Sequence, residues 1–426
     1  MQKFSLFRSV FDCLLPDVPD SASFRSILLA FVGLGFHVGM WAVLVADLAG
    51  SADLTPGMLG VALSVMTFAG IVALSLSGGL ADRFGRLPFL LVGAGGTGVF
   101  FLALAIFAGS GGFVHLLVLL GVGGICASVW DLAVNALGGD YESEHRVRVM
   151  TFLHAGFSAS AAVGALLSGM FLWAGLDFRL LYMFVGLGLV SLAAMLSRSR
   201  FPGNSSDTTA DYDADTVEIG TSSLLLTPVV LGCVSIIFMS FSTDAVLEGF
   251  LSVYLRDALA SGPLLGGVAL ASLYSAAALG RLFGGRLLGI FGEKRTLAAC
   301  GAASAVGMSG VVATTSGTFS AAALLLVGFA AAPVAPVIFS LAARAVPGAS
   351  GRIVSLLTIF GYSAFTLGPL AVGFVSDLTS VKTALLFPVA MSLGLMFAAL
   401  FFLPGDPGTF RNGRDGKGRE AGPDRP

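Results

Sequence analysis

Long apolar runs alternate with short polar breaks along almost the whole chain. Apolar stretches fall at 26–48, 56–80, 88–109, 113–139, 149–174 and 177–197. A second set follows at 224–255, 264–289, 296–315, 318–343, 352–376 and 381–403. A helix needs about 20 such residues to cross a hydrocarbon core about 30 Å thick. The pattern predicts an all-α integral membrane protein of twelve transmembrane helices, numbered here in chain order. They form two six-helix halves, 26–197 and 224–403. The remaining segments are an N-terminal cytoplasmic stretch (1–25), an inter-half linker (198–223) and a C-terminal tail (404–426).

Composition agrees with the pattern. Hydrophobic residues make up 56% of the chain and charged residues 11%, against about 25% charged in soluble domains. A net charge of −2 points to no nucleic-acid partner. Cys13, Cys126, Cys233 and Cys300 are scattered, without metal-ligand or disulfide spacing. No nucleophile, phosphate loop or zinc motif stands out, so neither an enzyme, a cofactor nor a bound metal is expected.

The ends and the linker read differently from the spans. The N-terminus lacks the form of a cleavable signal. Phe4, Phe7, Phe11 and Leu14 recur at helical spacing beside Lys3 and Arg8, which suits either a short amphipathic helix on the membrane surface or a frayed tail. The linker holds Asp207, Asp211, Asp213, Asp215 and Glu218 with no base after Arg200. It reads as a hydrated connector, with an acidic metal-binding loop as the sharper alternative. The Gly-, Pro- and charge-rich tail reads as disordered. With twelve spans and both termini in the cytoplasm, 19 of the 23 Lys and Arg fall in inner segments, as the positive-inside rule requires. The expected location is the cell inner membrane.

The two halves repeat. Arg148 precedes Gly164 by sixteen positions, and Arg352 stands in the same relation to Gly368, 204 positions later. The charged break Gly78-Gly-Leu-Ala-Asp82-Arg83-Phe-Gly85-Arg86 recurs about 207 positions on as Gly285-x-x-x-Gly289-x-x-Gly292, with glycine where Asp82 would be. Such repeats suit a carrier that rocks about a central site. The spacing Gly-x-x-x-Asp-Arg-x-Gly-Arg resembles the loop signature of the major facilitator superfamily of secondary transporters. Trp130-Asp131 through Asn135 and His154-Ala-Gly-Phe-Ser look like its fucose-permease-like branch. Glu248-Gly-Phe, Leu279-Gly-Arg281, Pro333-Val-Ala-Pro336 and Gly361-Tyr362 through Gly368-Pro369 do likewise.

The resemblance implies alternating access and proton-coupled movement of a sugar-like solute, with Asp131 as the proton-binding acid and Asn135 four residues on beside it. It also implies that the stretch Gly78, Asp82, Arg83, Gly85 and Arg86 is a cytoplasmic latch between halves. Asp82 stands at the C-terminal end of its helix, where the dipole disfavours an acid, so its partner should lie elsewhere: Arg83, Arg86, Arg146, Arg148 or the start of helix 11. The branch has a second acid in helix 1, where this chain offers His37.

Ionisable residues inside spans are costly and mark function by default. Asp131, His154 and Arg281 fall at similar depth, and Asp131 is expected to pair with Arg281 or His154 when the carrier faces outward. Arg281 thus joins the latch group. Asp244 and Glu248, four apart on helix 7, share one face. They form either a further proton or cation site or a wet vestibule, with Arg281 expected too far in depth to partner them. Proton coupling is therefore sought at Asp131, His154, Asp244 and Glu248, and solute contact at His37, Trp41, Asn135 and Tyr362. For His37 and the aromatics, plain helix packing is the alternative. Glycine pairs such as Gly35/Gly39, Gly280/Gly284 and Gly285/Gly289 invite close helix approach, and Pro333, Pro336, Pro369 and Pro388 invite kinks. The expected partners are a small-molecule solute, protons and lipid, and the protein is expected to be a monomer. Three other readings compete: a drug or amphiphile exporter, a transporter of a metal or metal chelate, and a non-transporting sensor or scaffold.

Overall fold

The computed structural model describes residues 19–199, 201, 227–345 and 350–405, with the side chains of Asp82, Ser350 and Gly351 excepted. The amphipathic N-terminal pattern, the acidic stretch of the linker and nearly all of the tail lie outside the described residues.

Twelve helices long and apolar enough to cross a membrane follow one another among the described residues. The first half comprises α1 (Ser21–Ser51), α2 (Pro56–Phe84), α3 (Arg86–Phe107), α4 (Gly112–His145), α5 (Met150–Trp173) and α6 (Phe178–Leu196). The second comprises α7 (Pro228–Val253, running on into a π turn, Tyr254–Ala258), α8 (Pro263–Phe291), α9 (Glu293–Ala313), α10, α11 (Ser350–Leu378) and α12. α10 crosses in two pieces, Gly317–Ala331 and Val334–Ala345. α12 begins with the short turn Val381–Ala384 and continues as Leu386–Phe402.

Local chemistry sets these boundaries. Pro56, Pro228 and Pro263 open their helices, where a missing N–H costs nothing. Pro333 and Pro336 lack the N–H groups that would bond back one turn, and α10 breaks there, not continuing through 318–343 as one rod. α1 starts earlier than the apolar run suggests because the Asp20 carboxylate accepts the Ser23 N–H and caps it. That hydrogen bond, with burial opposing it, holds the Asp20 carboxyl below its ordinary range. The break at Gly85 is a one-residue turn with φ +85°, and Gly292 repeats it with φ +79° at the matching place in the second half. Both sit in the left-handed region that glycine tolerates.

Packing repeats as the sequence does. The extensive pairs α1–α5, α2–α4, α3–α4 and α3–α6 have counterparts α7–α11, α8–α10, α9–α10 and α9–α12. Two further extensive pairs, α5–α8 and α2–α11, join the halves, helped by α1–α7. The end that carries the Gly85 and Gly292 turns is called here the terminal end, because the chain enters α1 and leaves α12 there.

The halves meet at the opposite end. A Cβ on Gly169 of α5 would lie 2.8 Å from the Cα of Gly267 on α8, and one on Gly373 of α11 would lie 3.0 Å from the Cα of Gly60 on α2. The Ser252 hydroxyl donates to the Ala42 carbonyl at 2.8 Å, and Arg256 pairs with Asp47 at 4.0 Å. Toward the terminal end Gly78, Gly79, Gly285 and Gly289 have no neighbour within 4 Å of an added Cβ. The two halves therefore touch at one end and diverge toward the other.

Candidate translocation site

Where the halves face each other, α4 presents Asp131 and Asn135 one helical turn apart. The Asn135 amide donates to Asp131 Oδ1 at 2.9 Å and to the Asp131 carbonyl at 2.8 Å. From the second half the Tyr362 hydroxyl of α11 donates to Asp131 Oδ2 at 2.9 Å. Each carboxylate oxygen thus has one donor, and one of the two donors belongs to the other half of the molecule. In this conformation Tyr362 and Asn135, not Arg281 or His154, are the partners of Asp131.

Trp130, the preceding residue, sets the rotation of α4. Its side chain is fully buried. A Cβ on Gly93 of α3 would collide with its backbone at 2.4 Å, and one on Gly33 of α1 would press its ring at 3.3 Å. With Trp130 seated between α1 and α3, the next residue turns by about 100° toward the other half.

His37 belongs to that seat. Its ring stacks on Trp130 with centroids 5.2 Å apart and meets Phe101 edge-on at 5.9 Å, and it is 5% exposed. Its surroundings are thus α1, α3 and α4 of one half. Trp41 is also buried, against Phe100 at 6.3 Å. The structure brings neither together with Asp131, Asn135 and Tyr362.

A second group lies on α7 and α8. The Tyr274 hydroxyl donates to Glu248 Oε1 at 3.4 Å. Asp244, one turn from Glu248, is close enough to Arg281 to interact with it electrostatically. Among the described residues no ion pair joins the two, so Arg281 acts on this acid only through the longer reach of its charge. Arg281 also crosses to the first half. Its Nη1 donates to the His154 carbonyl of α5 at 3.1 Å, and its guanidinium lies 6.0 Å from the Phe157 ring. The His154 ring packs edge-on against Phe31 at 5.3 Å.

At the terminal end Arg86 pairs with Asp140 of α4 at 3.3 Å, and Arg83 stacks over its neighbour Phe84. Gly285 and Gly289 face open space, as Gly78 does, so the close approach that the Gly285/Gly289 spacing invites is not made, because the halves are apart at this end. Sequence reasoning missed the cap on α5, where Glu142 Oε1 accepts the N–H groups of Val149 and Met150. It also passed over Asp377, whose contacts are treated below.

The profile of the Major Facilitator Superfamily matches this chain twice, over residues 26–273 and 233–423. The chain belongs to the major facilitator superfamily. Among curated relatives, an uncharacterised MFS-type transporter of Yersinia pestis is 26% identical over 372 residues, covering 87% of this chain and 92% of the relative. The membrane protein MosC of Rhizobium meliloti is 23% identical over 86% of this chain and 87% of its own length. Among solved structures, the nucleoside transporter NupG superposes with a TM-score of 0.72 at 11% identity, over 90% of this chain and all of that one. A bacterial homologue of the lysosomal transporter Spinster, inward-facing and occupied, gives 0.67 at 16% identity, over 89% of this chain and 95% of that one. At those identities the structures support the fold alone.

Membership makes the chain a multi-pass secondary transporter that works by alternating access, not an enzyme. Among the described residues no three His, Cys, Asp or Glu side chains converge as metal ligands do. His37, Asp131, His154 and the two acids of helix 7 lie in separate groups, not around one point.

Proposed function

We propose that this transporter couples solute movement to protons through Asp131, and that its solute is small, polar and sugar-like. The observation that carries the reading is the bridge Asn135–Asp131–Tyr362. Two donors on two oxygens suit an ionised carboxylate, and one donor comes from the opposite half. An acid placed so can exchange its proton for a tie between halves. The Lys and Arg distribution puts the terminal end in the cytoplasm, which makes this conformation inward-facing and the Asp131 bridge that of a carrier whose proton has left.

In the cycle that follows, Asp131 takes up a proton with the solute from the outer side. The halves then rock, solute and proton leave inward, and Tyr362 closes on the bare carboxylate. Asn135 and the Arg281 group supply hydrogen bonds of the kind a hydroxylated solute needs. The fucose-permease-like resemblance belongs to this proposal and points to the same solute class. The test is flux into proteoliposomes. Asp131→Asn should abolish uptake driven by a pH gradient while solute exchange at equal pH continues. Retention of pH-driven uptake by that variant would sink the reading.

A further inference from the structure

Asp377 stands at the end of α11, on the second half, and the start of α2 lies against it on the first. Gly57 N–H donates to Asp377 Oδ1 at 2.9 Å, and the Thr55 hydroxyl donates to Oδ2 at 3.1 Å. Thr55 is itself the N-cap of α2, its oxygen accepting the Met58 N–H at 3.2 Å. One hydroxyl thus gives its proton to Asp377 and its lone pair to the helix. The acid completes a cap begun by Thr55, across the boundary between halves. An N-terminal first turn favours an anion through its free N–H groups and its dipole.

The fit is close. A Cβ on Gly57 would lie 2.1 Å from Asp377 Oδ2. Just inside it, Gly60 and Gly373 bring the backbones of α2 and α11 together, and the Ser64 hydroxyl reaches the Thr366 carbonyl at 2.6 Å. α2 and α11 run antiparallel, so the end of α11 lies beside the start of α2 at this mouth, while at the terminal end the two halves are apart. Asp82 stands 26 positions after Pro56 on α2, and Asp377 stands 27 after Ser350 on α11. One helix pair carries an acid at each of its two ends.

We propose that Asp377 is a gating residue of the transport cycle, holding the opposite mouth closed by capping α2 from the other half. It is the counterpart, at that mouth, of the latch expected of Asp82 at the terminal end. The proposal rests on the rocking of the two halves described above, but not on Asp131 or on the identity of the solute.

The test is a distance measurement by double electron–electron resonance. Spin labels go at Ser110 and Thr315, exposed positions in the α3–α4 and α9–α10 loops of opposite halves, in protein whose native cysteines are replaced. Recorded without solute at a single pH, it gives a result that stands even if the Asp131 reading fails. Asp377→Ala should raise the ratio of long to short distances about fivefold, the size expected for one lost N-cap. Asp377→Asn keeps an acceptor for Gly57 N–H and should shift the ratio less. Gly57→Ala crowds the same contact without touching the charge and should shift it the same way as Asp377→Ala. A wild-type distribution in Asp377→Ala overturns the proposal. If that variant does not fold, wild-type distributions in both other variants overturn it.

Discussion

Asp131 has two oxygens, and each already has its donor. Removing the Tyr362 hydroxyl leaves the ring and one donor, and it cuts the only hydrogen bond from the second half to this acid among the described residues. A hydrogen bond to a charged group contributes about 1.5–3 kcal/mol. Tyr362→Phe should therefore change the pH-driven transport rate by roughly tenfold or more, with solute exchange at equal pH altered far less. Equal changes in both rates would place Tyr362 in solute binding and not in coupling. The pairing of Asp131 with Asn135 was legible because four positions is one helical turn. Its tie to Tyr362 was not, since the partner lies 231 positions away. His37 misled for a physical reason. A polar residue at mid-membrane depth draws attention, yet depth does not say which way it faces, and its ring lies flat on Trp130 inside one half.

At the scale of helices, the joint between halves is made where side chains are absent. Gly169 and Gly267 bring α5 and α8 into backbone contact, with a Cβ on Gly267 falling 2.7 Å from the Ala165 carbonyl and 2.8 Å from the Gly169 Cα. Neither atom can yield as a flexible side chain would. Gly267→Val should therefore hold the opposite end apart, and solute exchange should fall at least tenfold while thermal unfolding of the purified protein shifts by only a few degrees. Full exchange activity in that variant would show that the contact can be dispensed with. Gly35 and Gly39 carried a recognisable four-residue spacing, and a Cβ added to either would fall 2.0 Å or less from a carbonyl oxygen of α5. The Gly169–Gly267 and Gly60–Gly373 contacts have no such signature, because each joins single glycines on helices far apart in the chain. The prolines marked the break in α10, whereas the π turn at Tyr254–Ala258 left no trace in the apolar pattern.

The whole molecule shows its symmetry in the sequence but not its state. The Gly85 and Gly292 turns lie 207 positions apart and are conformationally alike, so the repeat could be read before the fold. Which mouth is open depends on contacts between halves, and those are invisible to periodicity. Orientation is the remaining question at this scale, and α4 offers a direct measurement. At 34 residues it spans about 50 Å, longer than a hydrocarbon core of about 30 Å, and its last turns carry Asp140, Glu142 and Glu144. Ser110 precedes its start and Ser143 lies in its final turns, both exposed. Single cysteines at the two positions, with the native cysteines replaced, therefore report opposite faces of the membrane. An impermeant maleimide added to intact cells should modify Ser110→Cys fully. It should leave Ser143→Cys untouched until the membrane is permeabilised. The reverse pattern would turn the molecule over, place its open mouth outside, and make the Asp131–Tyr362 bridge a feature of the outward-facing carrier.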